Sequence, residues 1–128
     1  LFLLVLSLAL VAPSLSARKC VLTGRWTNDL GSNMTINGVN KDGSFNGTYN
    51  TSVSSTKSPP QLSPLLGIQH YPNNESQPTF GFTVNWTFAE STTVFVGQCF
   101  VDKGKEILKT MWLLRSQADS IRNDWNAT

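Results

Sequence analysis

Apolar and polar residues alternate with a period of two in short segments, and clusters of Gly, Asn, Asp and Pro separate those segments. Successive side chains of a strand point to opposite faces, so this pattern specifies a sheet with one dry face and one wet face. The clearest case is Thr79 to Phe88, where Phe80, Phe82, Val84, Trp86 and Phe88 alternate with Thr79, Gly81, Thr83, Asn85 and Thr87. Six further segments are predicted strands: Val21 to Asn28, Ser32 to Ile36, Ser44 to Thr51, Leu65 to His70, Ser91 to Phe100 and Glu106 to Leu114. Asn40-Lys41-Asp42-Gly43 and Asp102-Lys103-Gly104-Lys105 are turn sequences with Gly where a positive φ is wanted. Ser52 to Ser63 is rich in Ser, Thr and Pro, has no period, and reads as a loop long enough to act as a lid. Ser116 to Trp125 suits a helical turn or two, with Ile121 and Trp125 on one side.

Consecutive strands with short connections favour an all-β, antiparallel up-and-down barrel over a Greek-key sandwich, whose crossovers are longer. A meander closes by pairing its last strand antiparallel to its first, which wants an even number, so the predicted set is one strand short. On the last strand Met111 and Leu113 are apolar on the outward face, which points to a subunit interface.

The first 16 residues carry no charge and end in Pro13-Ser14-Leu15-Ser16, too short for a spanning helix and suited to cleavage before Ala17. Residues 1–16 therefore read as a secretory signal that begins without its basic start, and residues 17–128 as one barrel domain of an extracellular protein with no membrane anchor. Cys20 and Cys99 are the only cysteines, and in an oxidising compartment an even pair reads as a disulfide, a free thiol being the alternative. Six N-x-[ST] sequons begin at Asn33, Asn46, Asn50, Asn74, Asn85 and Asn126, in keeping with a secreted glycoprotein, and the alternation turns Asn85 outward.

Ten Lys and Arg against eight Asp and Glu are scattered without a basic stripe, so nucleic acid is an unpromising partner. Standard catalytic, phosphate-binding and metal-binding patterns are missing, and His70 is the only histidine, so the chain reads as a binder and not an enzyme, with no cofactor and no metal. Asp29, Asp42, Asp102, Asp124 and Glu90 fall in turns or outside strands and read as solvated acids. The inward-facing set is more informative. Asn28, Ser32, Tyr49, Thr51 and Thr93 sit among Trp86, Phe95 and Trp112. Each buried hydroxyl without a partner costs about 1–3 kcal/mol, so such a lining either satisfies itself and buried waters or grips a ligand. Its lack of formal charge fits a neutral, planar, amide-like or urea-like head.

Several stretches resemble the avidin family of biotin-binding proteins: Ala17 to Cys20, Thr27 to Ile36, Gln77 to Trp86, Glu90 to Phe95 and Leu108 to Ser116. The resemblance implies an eight-stranded barrel, assembly as a homotetramer, and one biotin per barrel. It implies that Asn28, Ser32 and Tyr49 donate to the ureido oxygen, as an oxyanion hole does. Thr51 would meet a ureido nitrogen and Thr93 the thioether sulfur. Trp86, Phe95 and Trp112 would line the bicyclic ring with Phe88 and Leu114 beside them, and Trp125 would cap the pocket of a neighbouring subunit. Ser54, Ser55, Thr56 and Ser91 would hold the valerate carboxylate. Cys20 and Cys99 match the family disulfide, and Asn33 its glycosylation site. Ala89 departs from the pattern, standing where the family has a carboxylate-binding serine, and the residues after Tyr49 differ as well. The family's eighth strand lies past Thr128, which implies weaker binding by these 128 residues. Two other readings compete. Gly24-Arg25-Trp26 on the first strand fits the G-x-W pattern of a lipocalin-like carrier of a small hydrophobic ligand, and a secreted glycosidase or inhibitor-type domain would need an inward carboxylate pair that the strands lack.

Overall fold

The computed structural model describes residues 19–51, 61–70 and 76–128. The signal segment, Ser54 to Thr56 and the Asn74 sequon lie outside them. Seven antiparallel strands form one sheet in chain order: β1 (Gly24–Thr27), β2 (Asn33–Ile36), β3 (Ser44–Asn50), β4 (Leu62–Gln69), β5 (Thr79–Asn85), β6 (Ser91–Asp102) and β7 (Lys105–Ser116). The sheet curls so that its inner rows face one another, as the alternation requires. One row runs Gly24, Ile36, Gly47, Leu65, Val84, Thr93, Leu114, and the next runs Phe45, Gly67, Phe82, Phe95, Trp112. Leu22, Met34, Ile36, Phe45, Leu65, Phe80, Phe82 and Val84 are buried and fill one end of the curl.

Close strand approach in that core depends on glycine. A Cβ on Gly47 would stand 1.9 Å from the Thr35 carbonyl oxygen, and one on Gly67 2.4 Å from Phe45 Cζ. The Phe45 and Phe82 rings meet edge-on over Gly67, with centroids 6.4 Å apart. Gly43 (φ 91°) and the pair Lys103 (φ 51°) and Gly104 (φ 78°) occupy the two predicted turns with the positive φ that tight hairpins need.

Several elements depart from expectation: β1 begins at Gly24 and not Val21, and β6 and β7 run on to Asp102 and Ser116. β4 begins at Leu62, inside the segment expected to be a loop, because Leu62, Ser63 and Pro64 continue the ladder against Asn50, Tyr49 and Thr48. Pro64 is tolerated there since β5 pairing starts only at Leu65, leaving it flanked by β3 alone. β5 stops at Asn85 and not Phe88. Beyond it the Thr87 amide donates to Ser63 Oγ (3.2 Å), so a side chain replaces the ladder carbonyl. The C-terminal helix is a 3-10 helix, Ile121–Ala127, with Ile121 91% and Trp125 90% exposed. At about three residues per turn, a spacing of four puts these two side chains on different sides.

Cys20 and Cys99 form a disulfide with Cα atoms 5.8 Å apart, across 79 residues of sequence. Beside it the Val21 amide donates to Glu106 Oε2 (2.6 Å) on β7, and the Cys20 amide to the Ser76 carbonyl (2.8 Å). The segment before β1 is thereby tied to β6 and β7 at the core-filled end.

The outward face carries Leu66, Val94 and Leu113 in one row through Thr83, and Ile68, Val96 and Met111 in the next through Gly81, all six apolar side chains exposed. No helix among the described residues is long and apolar enough to cross a membrane.

Candidate functional site

At the end of the curl opposite the disulfide, the concave face opens into a cavity of about 710 Å³. Eleven of the residues singled out from sequence surround it: Asn28, Ser32, Tyr49, Thr51, Trp86, Phe88, Ser91, Thr93, Phe95, Trp112 and Leu114. A smaller recess of about 110 Å³ extends it inward, sharing Asn28, Ser32, Tyr49 and Phe95 and reaching Trp26, Met34 and Phe82.

The polar groups are orientated by the backbone around them. Asn28 closes β1, and its Oδ1 accepts the amides of Leu30 and Ser32, each at 3.0 Å. Both backbone donors fix which end of the carboxamide is oxygen, so the end left to face the cavity is the Nδ2 donor pair. Ser32 is buried beside it. Tyr49 lies half-buried on β3 between Trp86 (centroids 5.4 Å, edge-on) and Phe95 (5.8 Å, stacked). Burial pushes its phenol above the ordinary tyrosine value of 10.0, so it stays an O–H donor at neutral pH. Three donors thus stand along one wall.

Aromatic rings continue the lining from Tyr49. Phe95 stacks on Phe82 at 4.7 Å, Trp86 leans on Phe88 at 5.6 Å, and the Trp86 indole donates to Thr93 Oγ1 at 2.7 Å. Thr93 is only 3% exposed, so this bond is made in a nearly dry setting, where an unpaired indole N–H would be costly. Trp112, expected inside, is 62% exposed because β7 is the sheet's edge and nothing among the described residues faces it across the opening.

Other expected residues fall elsewhere. Trp125 does not line this cavity, and Ser54, Ser55 and Thr56 are outside the described residues. Ala89 takes part in the lining. Asp29, Leu30, Thr110 and Ser116 also line the cavity, Thr110 reaching its inner recess, and were not singled out as site residues. Thr110 was detectable by its inward register on β7, whereas Asp29 and Leu30 sit in a turn that only the curl brings over the cavity. Asp29 is the one formal charge among the described lining residues. No cluster of three or more His, Cys, Asp or Glu that could hold a metal exists among the described residues.

An antiparallel meander curled around an aromatic-walled pocket, with neutral donors at its inner end, defines a small-molecule-binding barrel protein. The avidin family model matches residues 16–128, and the chain belongs to the avidin family. It is 67% identical to avidin from Gallus gallus over its whole length, spanning 85% of that protein. Among solved structures, a biotin-binding protein from chicken superposes with a TM-score of 0.78 at 54% identity, covering 86% of this chain and 91% of that one. A structure titled AVR2 also gives a TM-score of 0.78, at 63% identity, covering 87% and 89%.

Proposed function

We propose that this protein is a secreted glycoprotein that binds biotin non-covalently in the described cavity, one ligand per chain, without catalysis. One observation carries the reading. Asn28, Ser32 and Tyr49 converge as neutral donors at the inner end of a cavity walled by Trp86, Phe95 and Trp112. A urea oxygen seated there accepts from all three, and the array favours its polarised form. Thr51 meets a ureido nitrogen, Thr93 the sulfur, and Phe88 and Leu114 flank the ring. Ser91, with Ser54, Ser55 and Thr56, receives the carboxylate, and Ala89 supplies no hydrogen bond to it.

The relatives support the ligand, since the similar chicken structure is of a biotin-binding protein. The two apolar outward rows favour assembly of copies of this chain through that face, as a homotetramer in which Trp125 caps a neighbour's cavity. Asn33, outward on β2 between buried Ser32 and Met34, suits a glycan.

Titrating the secreted protein with biotin while following tryptophan emission tests the reading. Saturation at one biotin per chain, undiminished by a hydrophobic dye, supports it. No response at micromolar biotin, or dye binding that biotin fails to displace, overturns it.

A further inference from the structure

Asn85 ends β5 with its side chain exposed on the outward face, and Trp86 and Thr87 complete its sequon. Across the sheet its row continues through Thr92 to Arg115. With strands about 4.8 Å apart, Asn85 and Arg115 are separated by about 10 Å. Between and below them lies a separate outer hollow of about 700 Å³, lined by Asn85, Glu90, Arg115, Ser120, Ile121 and Asp124 among others. The hollow is furnished for a polar, hydroxyl-rich occupant. Arg115 is paired with Asp124 at 2.5 Å, both about half exposed, so each keeps donors or acceptors turned to solvent. Ile121 offers an apolar surface with nothing over it. Hydroxyls on one edge and a C–H face on the other are the surface of a sugar ring.

The Asn50 sequon is less well placed. Asn50 Oδ1 is buried with no partner, and Asn50 pairs directly with Asn33 across β2 and β3, which leaves no room for glycans on both.

We propose that Asn85 is an N-glycosylation site whose first sugars lie in the hollow against the Arg115–Asp124 pair and Ile121. The proposal rests on the secretion reading above. In the modifying step Asn85 Nδ2 bonds to the anomeric carbon of a lipid-pyrophosphate-linked oligosaccharide. The carbon–oxygen bond to the pyrophosphate breaks, the lipid pyrophosphate leaves with the electron pair, and the amide gives up one proton, with no change in oxidation state.

Expression of the full chain in a secreting eukaryotic cell, followed by peptide N-glycosidase in heavy-oxygen water and peptide mapping, tests the site. Heavy-oxygen aspartate at position 85, and loss of one glycan's mass in Asn85→Gln, are expected. Unmodified Asn85 in secreted, disulfide-bonded protein overturns the proposal while leaving secretion intact, and a chain that never leaves the cytosol overturns both. Hydrogen exchange tests the seat. Amides of residues 115–124 should exchange roughly twofold or more slowly in the glycosylated protein than after enzymatic removal of the glycan from the native fold, and equal rates overturn the seating.

Discussion

The Trp86 indole N–H donates to Thr93 Oγ1 at 2.7 Å, joining the end of β5 to β6 across the cavity wall. Since Thr93 is nearly dry, Thr93→Val, which keeps the shape, strands that donor at a cost of about 1–3 kcal/mol. The melting temperature should fall by several degrees, and Thr93→Ser should restore most of it. An unchanged melting temperature for the valine variant contradicts the role given to this bond.

Asn28→Asp separates folding from recognition. The carboxylate still accepts the Leu30 and Ser32 amides, so the β1–β2 turn should survive and the circular dichroism stay unchanged. The Nδ2 donors become an acceptor bearing charge, set against the oxygen of a urea. A loss of about 1.5–3 kcal/mol is expected, which is more than tenfold in biotin affinity by calorimetry. Full affinity would remove Asn28 from the site.

Alkaline titration should report Tyr49. Its folded pKa is raised, so the folded state holds the phenolic proton more tightly than the unfolded chain. That stability is fully present below about pH 10 and is lost as pH rises through the folded value. Biotin binding should weaken over the same window as the donor is lost. In Tyr49→Phe the alkaline loss of binding should vanish while affinity at neutral pH falls, and an identical pH profile in both proteins would count against the assignment.

Gly47→Ala should be among the most damaging single-atom additions to the core. Its new methyl would meet the Thr35 carbonyl oxygen at 1.9 Å, a backbone atom that cannot swing away, whereas Gly38 has open space around it. Destabilisation above about 3 kcal/mol is expected for Gly47→Ala and within about 0.5 kcal/mol for Gly38→Ala by denaturant unfolding. Similar midpoints for the two would refute the close approach.

Alternation revealed most of the sheet because each strand is wet on one side and dry on the other, and β5 is a direct reading of that rule from Thr79 to Asn85. The rule failed where other groups take over. Ser63 and Pro64 belong to a strand despite loop-like chemistry, since β3 supplies partners that local composition does not reveal. Thr87 leaves the ladder because a distant hydroxyl, on Ser63, receives its amide. The eleven residues gathered around the cavity were readable through inward register combined with family resemblance. Asp29 and Leu30 were not, because a turn reaches a ligand only through curvature, which belongs to the whole sheet.

The cystine and the Val21–Glu106 bond sit at the filled end, whereas Ser91 and Ser116 lie at the far one. The curled sheet is therefore covalently fastened at one end, like a cuff riveted at one hem. The covalent tie and the opening thus lie at different ends of the same strands, so what fastens the sheet stands apart from where a guest would enter.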